Sequence, residues 1–376
     1  MTASKTRRRG VKRWAGLGLG ALLAGGLVGA EASAAVGPGM MVLSTLSPGG
    51  AGDGSFQAGV FGLQSETQGT GDDVGVTVFE LVGWSRVSEN GGGSVGRAAQ
   101  GGGPVSDGFD PSNWTVGVLT KQVWSSGGEA DGVPQRIVDQ QVSVGARLGV
   151  LDLGEWGRWD WGATAGFGYA GDTPYAGGEA WYGTGSLWGA TQLDPESTLF
   201  VFLEYNGNRT IFPDVPLPGF LYRRQVRDDL AVSLGFPFVS ATWTPNDRFT
   251  LRGTIAVSLA TDLDLSYRLD GGWSAFARYY TDSIAGDIDG GTDNRRIFFE
   301  QQRIEVGMRR SLNFSRPGPA TRPAAGDPRG NAWQIEAAVG WAFDLAYDTG
   351  FDSRDLAGVA DLDDAFYLRL GLSHRF

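Results

Sequence analysis

The chain of 376 residues contains no cysteine and a single histidine, His374. Without thiols there is no disulfide framework, no thiolate metal centre and no cysteine to carry a lipid. Positive charge is in short supply: 31 Lys and Arg face 42 Asp and Glu, for a net charge of -11. That balance excludes nucleic acid as the expected partner, since nothing offsets the phosphates. Long apolar runs are also missing. Beyond the N-terminal region no stretch approaches the roughly 18 consecutive apolar residues of a membrane helix. What is present in excess is glycine, 61 residues, and tryptophan, 13 residues, within a hydrophobic fraction of 41%. A chain of that kind can still occupy a bilayer as a barrel, because only alternate residues of a strand then face lipid.

The N-terminus has the three-part layout of an export signal. A basic start, "MTASKTRRRGVKRW", precedes the Gly, Ala and Leu run "AGLGLGALLAGGLVGA" and the small residues of "EASAA". Cleavage is expected after Ala34 or Ala35, so residues 1–35 are read as a signal peptide and 36–52 as a short periplasmic segment. "TRRRGVK" loosely resembles a twin-arginine signal, and both export routes stay open.

From residue 53 onward the dominant signal is a period of two. In "WDWGATAGFGYA", Trp159, Trp161, Ala163, Ala165, Phe167 and Tyr169 share one face, with Asp160 and Thr164 behind them. In "WQIEAAVGWAFDLAYD", Trp333, Ile335, Ala337, Val339, Trp341, Phe343, Leu345 and Tyr347 lie opposite Gln334, Glu336 and Asp344. Aromatics at both ends of such a face are what two water–lipid interfaces select. Fourteen segments read this way, which predicts an all-β fold: a single transmembrane antiparallel barrel of about 12 to 14 strands over residues 53–376. "TPND" at 244–247 and "LDGG" at 269–272 read as tight turns. The Gly- and Pro-rich stretches at 89–111, 206–229 and 315–331 read as long outer loops.

The chain ends on "AFYLRLGLSHRF", an alternation closing on an aromatic residue. Phe376, with Leu372, Leu370 and Leu368 at alternate positions before it, resembles the assembly signal of the bacterial outer-membrane β-barrel superfamily. His374 stands where another aromatic or aliphatic residue is more usual. "LGFPFVSATWTPNDRFTL" and "RRIFFEQQRIEVGMRR" look like segments of a family of predicted outer-membrane barrels with no established activity. The resemblance implies the outer membrane as location, with its lipid and lipopolysaccharide and the barrel assembly machinery as partners. It implies no activity.

Candidate functional residues must therefore come from side chains. In the expected register, Arg147, Arg252, Arg303 and Arg369 face the lumen with Glu204, Glu305, Glu336 and Asp344. Such residues either line a water-filled path and set ion preference or pair across the interior and plug it. Catalysis is not expected: His374 sits on the lipid-facing register, and Ser373 beside it points to the other face. "GDIDGGTDN" at 286–294 offers Asp287, Asp289 and Asp293 as hard oxygen ligands for calcium, but no Glu completes a calcium loop. No cofactor is expected. The reading is a porin-like passage for small solutes or ions, with a non-conducting barrel acting through its loops as the alternative. In either case, deleting Phe376 or replacing it with a charged residue should leave export intact and lower the amount of protein inserted in the membrane, measured by membrane fractionation and immunoblot.

Overall fold

The computed structural model describes residues 54–68, 70–87, 114–127, 132–176, 178–256, 260–289, 295–313 and 332–375. The expected signal peptide, the 36–52 segment, Phe376 and Asp293 lie outside them. The described residues form β1 (Gly54–Glu66), β2 (Asp73–Val87), β3 (Trp114–Ser126), β4 (Arg136–Asp152), β5 (Arg158–Gly171), β6 (Trp181–Asp194), β7 (Ser197–Asn206), β8 (Leu217–Arg227) and β9 (Leu230–Phe236). They continue through β10 (Phe238–Asn246), β11 (Phe249–Ala256), β12 (Thr261–Arg268), β13 (Trp273–Asp287), β14 (Arg296–Asn313), β15 (Ala332–Gly350), β16 (Ala357–Leu362) and β17 (Ala365–Arg375).

Each strand pairs antiparallel with the next, and β1 pairs with β17, so the sheet closes on itself. Sixteen strands make the ring. The seventeenth, β16, pairs with the upper end of β15 and meets the residues after β1 through the Leu362–Thr67 bridge, while the lower part of β15 pairs with β17. All fourteen strands expected from the period of two are present. The expected count fell short because β8 and β9 lie in or beside the stretch read as one long loop at 206–229. Pro213, Pro216 and Pro218 obscured β8, whose Pro218 pairs with Leu203 although a proline cannot donate to the ladder.

The turns follow from local chemistry. At "TPND" the Asn246 side chain accepts from the backbone N–H of Arg248 and of Phe249, both at 3.0 Å. At "LDGG" both glycines adopt positive φ, 72° and 77°, which a side chain would oppose. These turns lie at the rim that carries the ends of β1 and β17. The strands joined by 88–113 and by 314–331 also end at that rim. Two of the three long connections therefore depart from the rule of short turns beside the termini; the β7–β8 connection, 207–216, is at the opposite rim, as expected.

The outward face is a band of exposed apolar side chains, among them Val306, Val339, Leu368 and Leu370. Aromatics flank it at both levels. Near the terminal rim Trp333 lies 4.3 Å from His374, and Trp243 lies 5.9 Å from Phe249. Near the other rim Trp341 meets Phe366 at 4.3 Å, and Tyr169, Tyr175 and Trp181 cluster together. No helix among the described residues is long and apolar enough to cross a membrane.

The ring is pinched. At the rim away from the termini β13 crosses the interior to touch β5: Asp287 bridges Gly171, and the Asp172 N–H donates to the Asp287 carbonyl at 3.1 Å. The approach is possible because both walls present glycine. A Cβ on Gly286 would stand 3.0 Å from the Gly171 backbone. The pinch divides the mouth into one lobe walled by β13–β15, β17 and β1–β4 and another walled by β5–β12. The first lobe is filled near this rim by an apolar cluster that includes Phe61, Leu63, Val76, Ile137, Phe299 and Tyr347. Gly286→Val should overpack the pinch and cost about 1–3 kcal/mol, read as a lower midpoint for heat-induced loss of the folded electrophoretic form.

Candidate functional site: the barrel interior and its strap

Period-two alternation continues inside the ring, where it places charge. Along β14, Arg303, Glu305 and Arg309 face inward. Arg278, Tyr280 and Asp282 do so on β13, Asp262 and Asp264 on β12, Glu80 and Lys121 on β2 and β3, and Glu336 and Arg369 on β15 and β17. These side chains form a connected network. Arg369 donates to both oxygens of Glu305, at 2.6 and 2.9 Å, and bonds Glu336 as well. Tyr367 donates to Glu305 at 2.9 Å. Arg309 joins Glu336 to Asp264, the latter at 2.8 Å, while Arg278 holds Asp262 through two bonds at 2.8 and 3.0 Å. Lys121 bonds Asp282 and lies 3.7 Å from Glu80. Five cations against six carboxylates leave this region close to neutral.

At its centre Arg303 is 0% exposed. Its guanidinium carbon lies 3.9 Å from the ring centroids of both Phe61 and Tyr280, so the cation is sandwiched between aromatic faces. Asp282 at 3.5 Å and Glu80 at 3.9 Å supply counter-charge, yet none of its three nitrogens makes a hydrogen bond among the described residues. Ionic and aromatic attraction hold the group where hydrogen bonds do not.

The expected lumen residues separate into four groups. Arg303, Glu305, Glu336 and Arg369 are brought together in the closed network. Arg147 faces inward and bonds Asp160, and Glu204 lies 3.7 Å from Arg209. Arg252 faces inward by register, is exposed and has no carboxylate within 4.0 Å among the described residues. Asp344 is misplaced: it is exposed on the outer face and accepts from Gln302 at 2.8 Å. A bulge opposite Glu300 and Gln302, where Asp344 takes φ 50°, breaks the alternation and turns Leu345 and Tyr347 inward, against their expected outward placement. Of the calcium candidates, Asp287 ends β13 and the Asp289 N–H donates to Asp172 at 3.0 Å. The described residues contain no cluster of three or more such ligands.

In the sequence the whole of 206–229 reads as one long outer loop covering a rim, Phe220 included. Phe220 instead belongs to β8 and faces outward. The cover is the β7–β8 connection, 207–216, which reaches across the pinch as a strap. Asn208 donates to Asp139 and to the Ala285 carbonyl, both at 3.2 Å. Arg296 donates to the Asn208 side chain at 3.0 Å, to the Arg209 carbonyl at 3.0 Å and to the Phe351 carbonyl at 2.8 and 3.0 Å. The Ser353 N–H meets the Thr210 carbonyl at 2.8 Å, Asp352 accepts from the Phe212 N–H at 3.4 Å, and Arg354 stacks on the Phe212 ring at 4.0 Å. The hydrogen bonds from Arg354 hold the Asp352 carboxyl below the ordinary aspartate range. Arg296 and Asn208 carried no signal beyond their polarity, because the contact they make is between segments far apart in sequence.

No protein-family model matches the chain, and no curated protein is similar to it. Solved structures similar to it are outer-membrane proteins. An outer membrane channel from Pseudomonas putida F1 is 12% identical, with TM-score 0.31, covering 88% of this chain and 99% of its own. A Pseudomonas aeruginosa FadL homologue is 10% identical, with TM-score 0.35, covering 94% and 96%. The Pseudomonas putida toluene transporter TodX is 8% identical, with TM-score 0.33, covering 94% and 95%.

The network has a measurable consequence. Arg369→Ala leaves Glu305 buried with a phenol and more distant cations for compensation, and should destabilise the barrel by about 3–5 kcal/mol. Replacing Arg369 and Glu305 together with methionine should cost clearly less, and denaturant unfolding of the purified barrel compares the two.

Proposed function

We propose that the chain spans the outer membrane and provides a gated passage for small solutes, confined to the lobe walled by β5–β12, with the 207–216 strap as its gate. The observation that carries this reading is the contrast between the two lobes. In the first, and across its border with β12, buried charges neutralise one another, and apolar side chains fill the space near the rim away from the termini. In the second, Trp188, Phe202 and Phe238 pack into an inward apolar cluster, but nearer the terminal rim Arg252 is exposed on the inward face, with Thr242, Thr254 and Ser266 half-buried beside it. An inward polar lining that water reaches is what a passage requires. The strap lies across the mouth through hydrogen bonds to Asp139, Ala285 and Arg296 at strand ends and to the connection after β15, contacts that lie outside the strand ladders.

The second reading is a non-conducting barrel that acts through its outer surface, and the buried Arg303 network favours it. Planar-bilayer recording separates the two. Wild-type protein should conduct rarely or at a low level at neutral pH, and Arg296→Ala or Asn208→Ala should raise open probability severalfold with strand content unchanged by circular dichroism. The Asp352 carboxyl, being held low, keeps its contribution to the strap above the ordinary aspartate range and loses it as pH falls through the lowered value. Acid strong enough to protonate that carboxyl, below the ordinary aspartate range, should therefore open the wild type as well. Correctly folded variants that stay silent in both conditions favour the non-conducting reading.

A further inference from the structure

A groove of about 970 Å³ is cut into the outer surface where β1 meets β17 and β2. Its floor is bare at Gly62, which faces outward with Thr77 beside it, while at Gly75 the Gln64 and Ser126 side chains lie close over the backbone. Phe366 and Leu368 wall it on one side and Trp124 on the other. Phe366 and Leu368 are 76% and 70% exposed, so these walls stand free of the sheet. The groove interrupts the apolar band at the aromatic level remote from the termini and is continuous with it. Within such a band water is excluded, and what fills a groove must itself be hydrocarbon.

One end of the groove is charged. Following the outward positions along each strand, Gly62 and Gln64 lead to Glu66 on β1, Thr77 and Gly75 lead back to Asp73 on β2, and Leu368 and Phe366 lead back to Asp364 just before β17. Glu66 and Asp73 are directly opposite in register, and Asp364 lines the groove itself. All three are exposed, and none has a basic group within 4.0 Å among the described residues. The basic side chain at this level, Arg136, lies past Trp124 on β4, 5.5 Å from that ring, and donates to Gln122. An apolar slot ending at three carboxylates and bordered by indole faces matches one ligand chemistry. The carboxylates repel an anionic head and attract a cationic one.

We infer that this groove binds an amphiphile with a single aliphatic chain and a cationic, ammonium-type head group, the chain lying over Gly62 between Leu368 and Trp124 and the head meeting Glu66, Asp73 and Asp364. The inference is independent of whether the lumen conducts.

The test uses purified full-length barrel in non-ionic detergent, with brominated dodecyltrimethylammonium as a quencher of tryptophan fluorescence and brominated dodecyl sulfate as its anionic counterpart. Wild type should show saturable quenching by the ammonium probe and bind the sulfate at least tenfold more weakly. A Cβ on Gly62 would meet nothing closer than 3.7 Å, so Gly62→Phe fills the groove without a backbone clash. Gly62→Phe should abolish the saturable component, and Thr77→Phe, at an exposed outward position, does the same by a second route should the first fail to fold. Combined Glu66→Gln, Asp73→Asn and Asp364→Asn should bring the two probes to equal affinity while retaining chain binding. Non-saturable quenching of wild type, equal affinity for the two heads, or unchanged binding in a folded groove-filled variant overturns the inference.

Discussion

A charged side chain turned into a barrel has left bulk water, and it is tolerated only where a counter-charge or solvent reaches it. Much of this interior follows from that constraint. Glu305 is buried because Arg369 and Tyr367 can both reach it across neighbouring strands. Arg309 connects two carboxylates carried by β15 and β12. Pairings of this kind fix the azimuth of each strand around the ring more firmly than backbone bonds do, since a ladder shifted by two residues keeps its hydrogen bonds and loses its ion pairs. Arg252 meets the same constraint in the other way, through exposure, and this difference distinguishes one half of the ring from the other.

The strand pattern was legible because an apolar outer face and a different environment inside the ring impose a period of two on residues such as those of "FYLRLGL". The lumen-facing residues were legible by the same means: Arg303 and Glu305 alternate with Ile304 and Val306. What could not be read was whether those residues meet water or one another, because that depends on which strands face across the ring. The pairing of Arg309 with Asp264 joins positions 45 residues apart, and no local pattern encodes it. Two strands escaped for a different reason. Around Pro213, Pro216 and Pro218 the composition is that of a loop, yet β8 tolerates its proline within an otherwise paired ladder.

The pinch and the strap depend on each other geometrically. Gly171 and Gly286 let opposite walls meet, and the meeting brings Asp139 on β4 and Ala285 on β13 near enough for one asparagine, Asn208, to bond both. A circular mouth would separate those partners. Arg296, at the start of β14, then ties the backbone of two connections at once, so that the strap rests on the wall contact beneath it.

The bulge at Asp344 makes β15 two strands in series. Below it, Val339 and Trp341 face outward; above it, Leu345 and Tyr347 face the apolar cluster inside. One residue out of step is thus equivalent to half a turn of the ribbon about its own axis. A single chain segment can thereby present an apolar outer face along part of its length and a dry protein core along the rest, its ladder with β14 interrupted only at the step. Hydropathy averaged over both parities would register neither half, and a substitution's effect along this strand reverses in sign at one peptide unit.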